Sequence, residues 1–104
     1  MLSSRRVIRS ERFHMHYCIT ANGPVPRLGL IVPKKLAKAA SLRNAVKRQM
    51  REVFRLQAEG LPAVDLVFRL NKPLKGIRAT DSTQIVSWRV ELESLLKRLP
   101  VVAA

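Results

Sequence analysis

The chain has 104 residues, enough for one domain around one modest core and too few for a second. Twenty Lys and Arg stand against seven Asp and Glu, and the resulting net charge of +13 repels itself unless a polyanion offsets it, so nucleic acid is the expected partner. The apolar runs are far below bilayer-spanning length and no leading segment resembles a signal peptide, so no membrane is expected and the cytoplasm is the expected compartment.

Residues 1–10 precede the first expected element and are expected to be flexible. Residues 11–20 then alternate, with Phe13, Met15, Tyr17 and Ile19 on one face and His14, His16, Cys18 and Thr20 on the other, which predicts a half-buried strand. Ala21, Asn22, Gly23 and Pro24 supply turn chemistry, and RLGLIVP at 27–33 reads as a returning strand, so the two are expected to form a hairpin. A lysine-bearing connection over 34–40 leads to Ser41, whose hydroxyl suits the cap of a helix over about residues 42–59. Gly60 offers the left-handed residue that commonly closes a helix, and Pro62 prevents its continuation.

VDLVFRL at 64–70 alternates again, Val64, Leu66, Phe68 and Leu70 against Asp65, Val67 and Arg69, and predicts a third strand. Asp81 to Gln84 has the form of a capping box, Asp81 accepting from the helix start and Gln84 reaching back. Ile85, Trp88, Leu92, Leu95, Leu96 and Leu99 then recur at helical spacing until Pro100 ends the helix, and residues 101–104 are expected to fray. The order ββαβα predicts a single two-layer α+β sandwich over 1–104, a small mixed sheet with helices packed on one side.

The first helix carries the charge. Counting about 100° per residue from Arg43, the residues Lys47, Arg51 and Arg55 fall at roughly 40°, 80° and 120°, with Asn44 and Arg48 inside or beside that arc. Leu42, Val46, Met50 and Val53 cluster on the adjoining face, so burying them aims the cations outward as a row. Like charges four apart destabilise a helix, so stability alone does not select three such pairs in series, whereas a polyphosphate surface does. The plainer reading is a solvated basic face, and the spacing does not separate RNA from DNA.

The stretch RNAVKRQMREVFR, preceded by RLGLIVPKK, resembles the signature of the bacterial ribonuclease P protein, and the likeness runs more loosely through PAVDLVFRLNKP. The resemblance implies a domain like the second domain of the fifth small-subunit ribosomal protein, with a left-handed crossover against the sheet. It also implies a subunit that binds the catalytic RNA of ribonuclease P and the 5′ leader of precursor tRNA, so that the leader is removed during tRNA maturation while the RNA performs the hydrolysis. On that resemblance Arg43, Asn44, Lys47, Arg48, Arg51 and Arg55 contact RNA, joined by Lys34, Lys35 and Lys38. The sheet's open face would be the leader cleft, carrying His14, His16 and Arg69, whose rings and charge suit unpaired bases and phosphates. Members usually begin with a helix that walls this cleft, and residues 1–10 are too short for it.

The same resemblance implies that the protein holds no cofactor firmly and that Mg2+ is required by the RNA-based reaction, hard divalent ions preferring oxygen ligands where acidic groups are sparse. His14, His16 and Cys18 project from one side and form a conceivable zinc site that lacks an identifiable fourth ligand. No carboxylate cluster or Ser-His-Asp arrangement marks an active site in the chain itself. Glu52 is expected to pair with Arg48 or Arg55. The alternatives are a structural RNA-binding protein of the ribosome, a DNA-binding regulator, which is not expected because the basic helix lacks a partner helix with a tight turn before it, and a protein-only nuclease.

Overall fold

The computed structural model describes residues 6–19, 26–61 and 64–99. Among these, four strands and two helices follow the order βββαβα: β1 (Arg6–Arg9), β2 (Phe13–Ile19), β3 (Arg27–Ile31), α1 (Ala40–Gln57), β4 (Val64–Leu70) and α2 (Ser82–Lys97). The strands lie side by side as β1-β2-β4-β3, with β1 and β2, and β2 and β4, antiparallel, and β3 and β4 parallel. This is the two-layer α+β sandwich expected, with one strand more than the sequence announced. The turn at 21–24, Pro62, Pro100 and the ends at 1–5 and 101–104 lie outside the described residues.

The cleanest alternation in the sequence marks the central strands. In β4 the burial alternates strictly, with Val64, Leu66, Phe68 and Leu70 at most 1% exposed, and Phe13, Met15 and Tyr17 of β2 are buried on the same face. Against them pack Leu42, Val46, Met50 and Val53 of α1 and Trp88, Leu92, Leu95 and Leu96 of α2, in one contiguous core. Phe54 is half-buried at its margin. Both helices cover one face of the sheet, and α1 packs against α2 and the edge strand β3.

Several local expectations give way to tertiary structure. The hairpin between the strands at 11–20 and 27–33 is not formed: β4 pairs with both and separates them, because the two strands with the cleanest apolar faces take the centre. Residues 6–9, expected to be flexible, form the edge strand β1, with Ile8 opposite Met15 and Arg9 opposite His14. Helix α1 starts at Ala40, so Ser41 lies inside its first turn and is not its cap. Gly60 ends a short 3-10 turn, Ala58–Gly60, without a positive φ, and among the described residues only Gly76, at φ 71°, takes the left-handed conformation. Asp81 caps α2 as expected, accepting from Gln84 N at 3.2 Å, but the Gln84 side chain accepts from Arg12 instead of reaching back.

Candidate nucleic-acid interface

Helix α1 sorts its residues as the spacing required. Its buried arc, Leu42, Val46, Gln49, Met50 and Val53, fixes the rotation of the cylinder, and Arg89 of α2 locks it by donating to Gln49 Oε1 at 2.9 and 3.1 Å. On the opposite side Asn44, Arg48 and Arg51 are exposed, and Lys47 is half-buried. None of these four has a hydrogen-bond or ion-pair partner among the described residues. The row is therefore neither scattered around the helix nor consumed by acids.

Its two ends are engaged differently. The Arg43 guanidinium donates to the carbonyls of Ala37 and Lys38 at 3.1 and 2.8 Å, so this arginine ties down the β3–α1 connection as well as contributing charge. Arg55 forms an exposed pair with Glu52 at 3.0 Å, which holds the Glu52 carboxyl below its ordinary range. Such an exposed pair is weak in water. Lys34, Lys35 and Lys38 are all exposed on the connection before the helix.

The open face of the sheet carries the second set. Strand register puts Arg9, His14, Arg69 and Ile31 in one row across all four strands, and Val7, His16, Val67 and Gly29 in the next. Thus His14, His16 and Arg69 are brought together as expected, while Arg9 and Ile31 join them without a signal in the sequence, because β1 is too short to show a period and Ile31 reads as ordinary strand filling. Ile31 is 42% exposed beside Arg69, an apolar body next to a cation. Gly29 keeps the second row shallow: a Cβ there would stand 3.2 Å from Val67 Cγ2. Burial, helped by Arg9, His16 and Arg69, lowers the His14 pKa, and Asn71 Nδ2 lies 3.2 Å from its Nε2. The rings of His14 and His16 are 6.5 Å apart and tilted by 56°, and among the described residues no three His, Cys, Asp or Glu side chains are grouped as metal ligands. At the other end of this face Arg27 and Asp65 form an exposed two-pronged pair, both contacts 2.9 Å, which lowers the Asp65 pKa.

Fold and surfaces together define a small basic α+β protein that shows one cationic helix face and one mixed cationic and apolar sheet face. Comparison with known proteins gives the lineage: the Ribonuclease P family matches residues 1–100, and the chain belongs to that family. It is 50% identical over 70 residues to the ribonuclease P protein component of Azoarcus sp. (strain BH72), covering 67% of this chain and 58% of that one. It is 38% identical over 80 residues to that of Bordetella avium (strain 197N), covering 76% and 67%. The matched segment thus spans less than two thirds of the Azoarcus protein. Among solved structures, the Staphylococcus aureus RNase P protein superposes with a TM-score of 0.74 at 28% identity, covering 89% of this chain and 79% of that one. The Thermotoga maritima RNase P protein gives 0.72 at 27%, covering 93% and 86%. The family found is that of ribonuclease P, not a ribosomal one.

Proposed function

We propose that this chain acts as the protein subunit of bacterial ribonuclease P, binding the catalytic RNA through α1 and the 5′ leader of precursor tRNA across the open face of the sheet. The observation that carries the reading is the row Asn44, Lys47, Arg48 and Arg51, aimed outward by the buried arc of α1 and without a hydrogen-bond or ion-pair partner among the described residues. Arginine forks and a lysine at fixed spacing grip successive phosphates, and each contact releases counterions. The open face offers what a single strand needs: Arg9 and Arg69 for its phosphates, and His14, His16 and Ile31 as surfaces for unpaired bases.

Hydrolysis and its Mg2+ belong to the RNA in this reading. Three of the seven acidic side chains are paired with arginine, Glu52 with Arg55, Asp65 with Arg27 and Glu91 with Arg12, and Asp81 caps a helix, so four of the seven acids serve structure. The protein neutralises phosphates where two polyanions meet and distinguishes precursor from product by holding the leader. The cytoplasm is the compartment that fits, and no described helix is long and apolar enough to cross a membrane.

The test is reconstitution with ribonuclease P RNA at low magnesium. Adding the chain should accelerate leader removal and tighten binding of precursor over mature tRNA, and the chain alone should be inert. Cleavage by the chain without RNA would overturn the reading in favour of a protein nuclease.

A further inference from the structure

A cavity lies away from the open face, where the parallel strands β3 and β4 end. The connections that leave them, residues 32–39 and 71–81, stand side by side and enclose this cavity of about 350 Å3. Its floor is apolar, made by Leu36, Leu42, Leu74 and Ile77, and its rim carries Lys35, Lys38 and Lys75, all exposed. No acidic residue lines it, and the first turn of α1, which begins beside it, contains none either.

The walls are fixed before any ligand arrives. Leu74 N donates to Leu36 O at 2.8 Å and joins the two connections, while Arg43 holds the carbonyls of Ala37 and Lys38. Leu36 N and Ala37 N both donate to Pro33 O, and Gly76 turns the far wall with its left-handed φ. An apolar floor rimmed by three exposed lysines, with no hydrogen-bond or ion-pair partner among the described residues, fits a ligand with a planar, weakly polar body and an attached anion. In a chain of net charge +13, a nucleotide of RNA has that chemistry.

We propose that this cavity seats one unstacked nucleotide of the ribonuclease P RNA, its base over Leu36, Leu74 and Ile77 and its phosphates against Lys35, Lys38 and Lys75. The inference rests on the reading of α1 as an RNA-binding helix and extends the interface past its N-terminal end to the β4–α2 loop. It assigns to Lys75, Leu74 and Ile77 a role that the charge pattern of α1 does not reach. Charge and cavity separate experimentally: rim lysines act through phosphates and alter salt dependence, whereas the floor acts through the base and does not.

Binding of the full chain to ribonuclease P RNA would be measured across a salt series for Lys75→Ala, for Ile77→Trp, which fills the cavity at constant charge, and for Arg51→Ala. Lys75→Ala should weaken binding about two- to fivefold and reduce the salt slope by about 0.7. Ile77→Trp should weaken it by at least about fivefold, the lower end of what one seated base contributes, with the slope unchanged. If both leave affinity intact while Arg51→Ala lowers it, the cavity proposal fails and the helix reading stands. If Arg51→Ala is also silent, the helix reading fails first. Folding of each variant is checked by circular dichroism. Photocrosslinking of the unaltered chain to RNA bearing 4-thiouridine gives an answer independent of any variant: an adduct on the peptide spanning 73–77 is expected, and adducts confined to α1 overturn the proposal.

Discussion

Helices α1 and α2 both carry arginines on or against them, and the two sets do opposite things. Arg12, from the β1–β2 turn, is half-buried against α2: its Nε lies 2.8 Å from Glu91 Oε1, and its other nitrogens reach Gln84 at 3.2 Å and the Ser87 hydroxyl. Glu91 also accepts from Ser10 Oγ and from the backbone N–H groups of Arg12 and Phe13, so one carboxylate fastens the whole turn to the helix. Arg98, the cap of α2, adds a bond to Arg9 O at 2.9 Å. On α1 Arg48 and Arg51 are exposed, with no such hydrogen-bond or ion-pair partner among the described residues. A high positive charge therefore does not make every arginine a ligand for nucleic acid. Burial and the few available acids decide which cations belong to the scaffold.

The sharpest way to break this contrast is to remove one arginine of each kind. Arg12→Ala should cost about 2 kcal/mol of stability in chemical denaturation, because it strips a charged donor from a partly buried carboxylate and loosens the turn. A loss below about 0.5 kcal/mol would mean that the network is solvated rather than structural. The same network predicts an acid limb. Burial raises the Glu91 pKa, but the donors of Ser10, Arg12 and Phe13 outweigh it, and the net value lies below the ordinary 4.5. Its contribution is complete above the unfolded carboxyl pKa and disappears as pH falls through the lower folded value. Denaturation midpoints of Glu91→Gln should accordingly vary less with pH across that window.

Arg51→Ala should do the reverse. Stability should stay level or rise by a few tenths of a kcal/mol, since Lys47 and Arg55 lose a like-charged neighbour. RNA affinity should fall about two- to fivefold, with a salt slope smaller by about 0.7 to 0.9, read from filter binding at several salt concentrations.

His14 offers a smaller effect. Free, its pKa is lowered, and a leader phosphate beside it would raise the value, so leader affinity should climb as pH falls through the bound pKa and level off below the free one. His14→Asn should flatten that dependence, and an identical pH profile would remove the imidazole from the leader face. Glu52→Gln comes last: releasing Arg55 should raise RNA affinity by less than about twofold, and any loss would show that the pair positions the helix rather than restrains it.

The sequence alone determined what is local or periodic. The alternation in 13–18 and 64–70, the Asp81 cap, the apolar stripe of α2 and the angular sorting of α1 are set by side-chain spacing on one element, and each agrees with the fold. Strand neighbours were beyond its reach. Whether β2 pairs with β3 or β4 depends on which apolar faces complete a shared core, and β1 is too short for its four residues to show a period. Tertiary structure alone aligned Arg9 and Ile31 with His14 and Arg69, committed Arg12 to Glu91, and set residues 32–39 beside 71–81 to enclose a lysine-rimmed cavity. Contacts between segments far apart in the chain depend on the folded arrangement of all of them, and no window of sequence contains it.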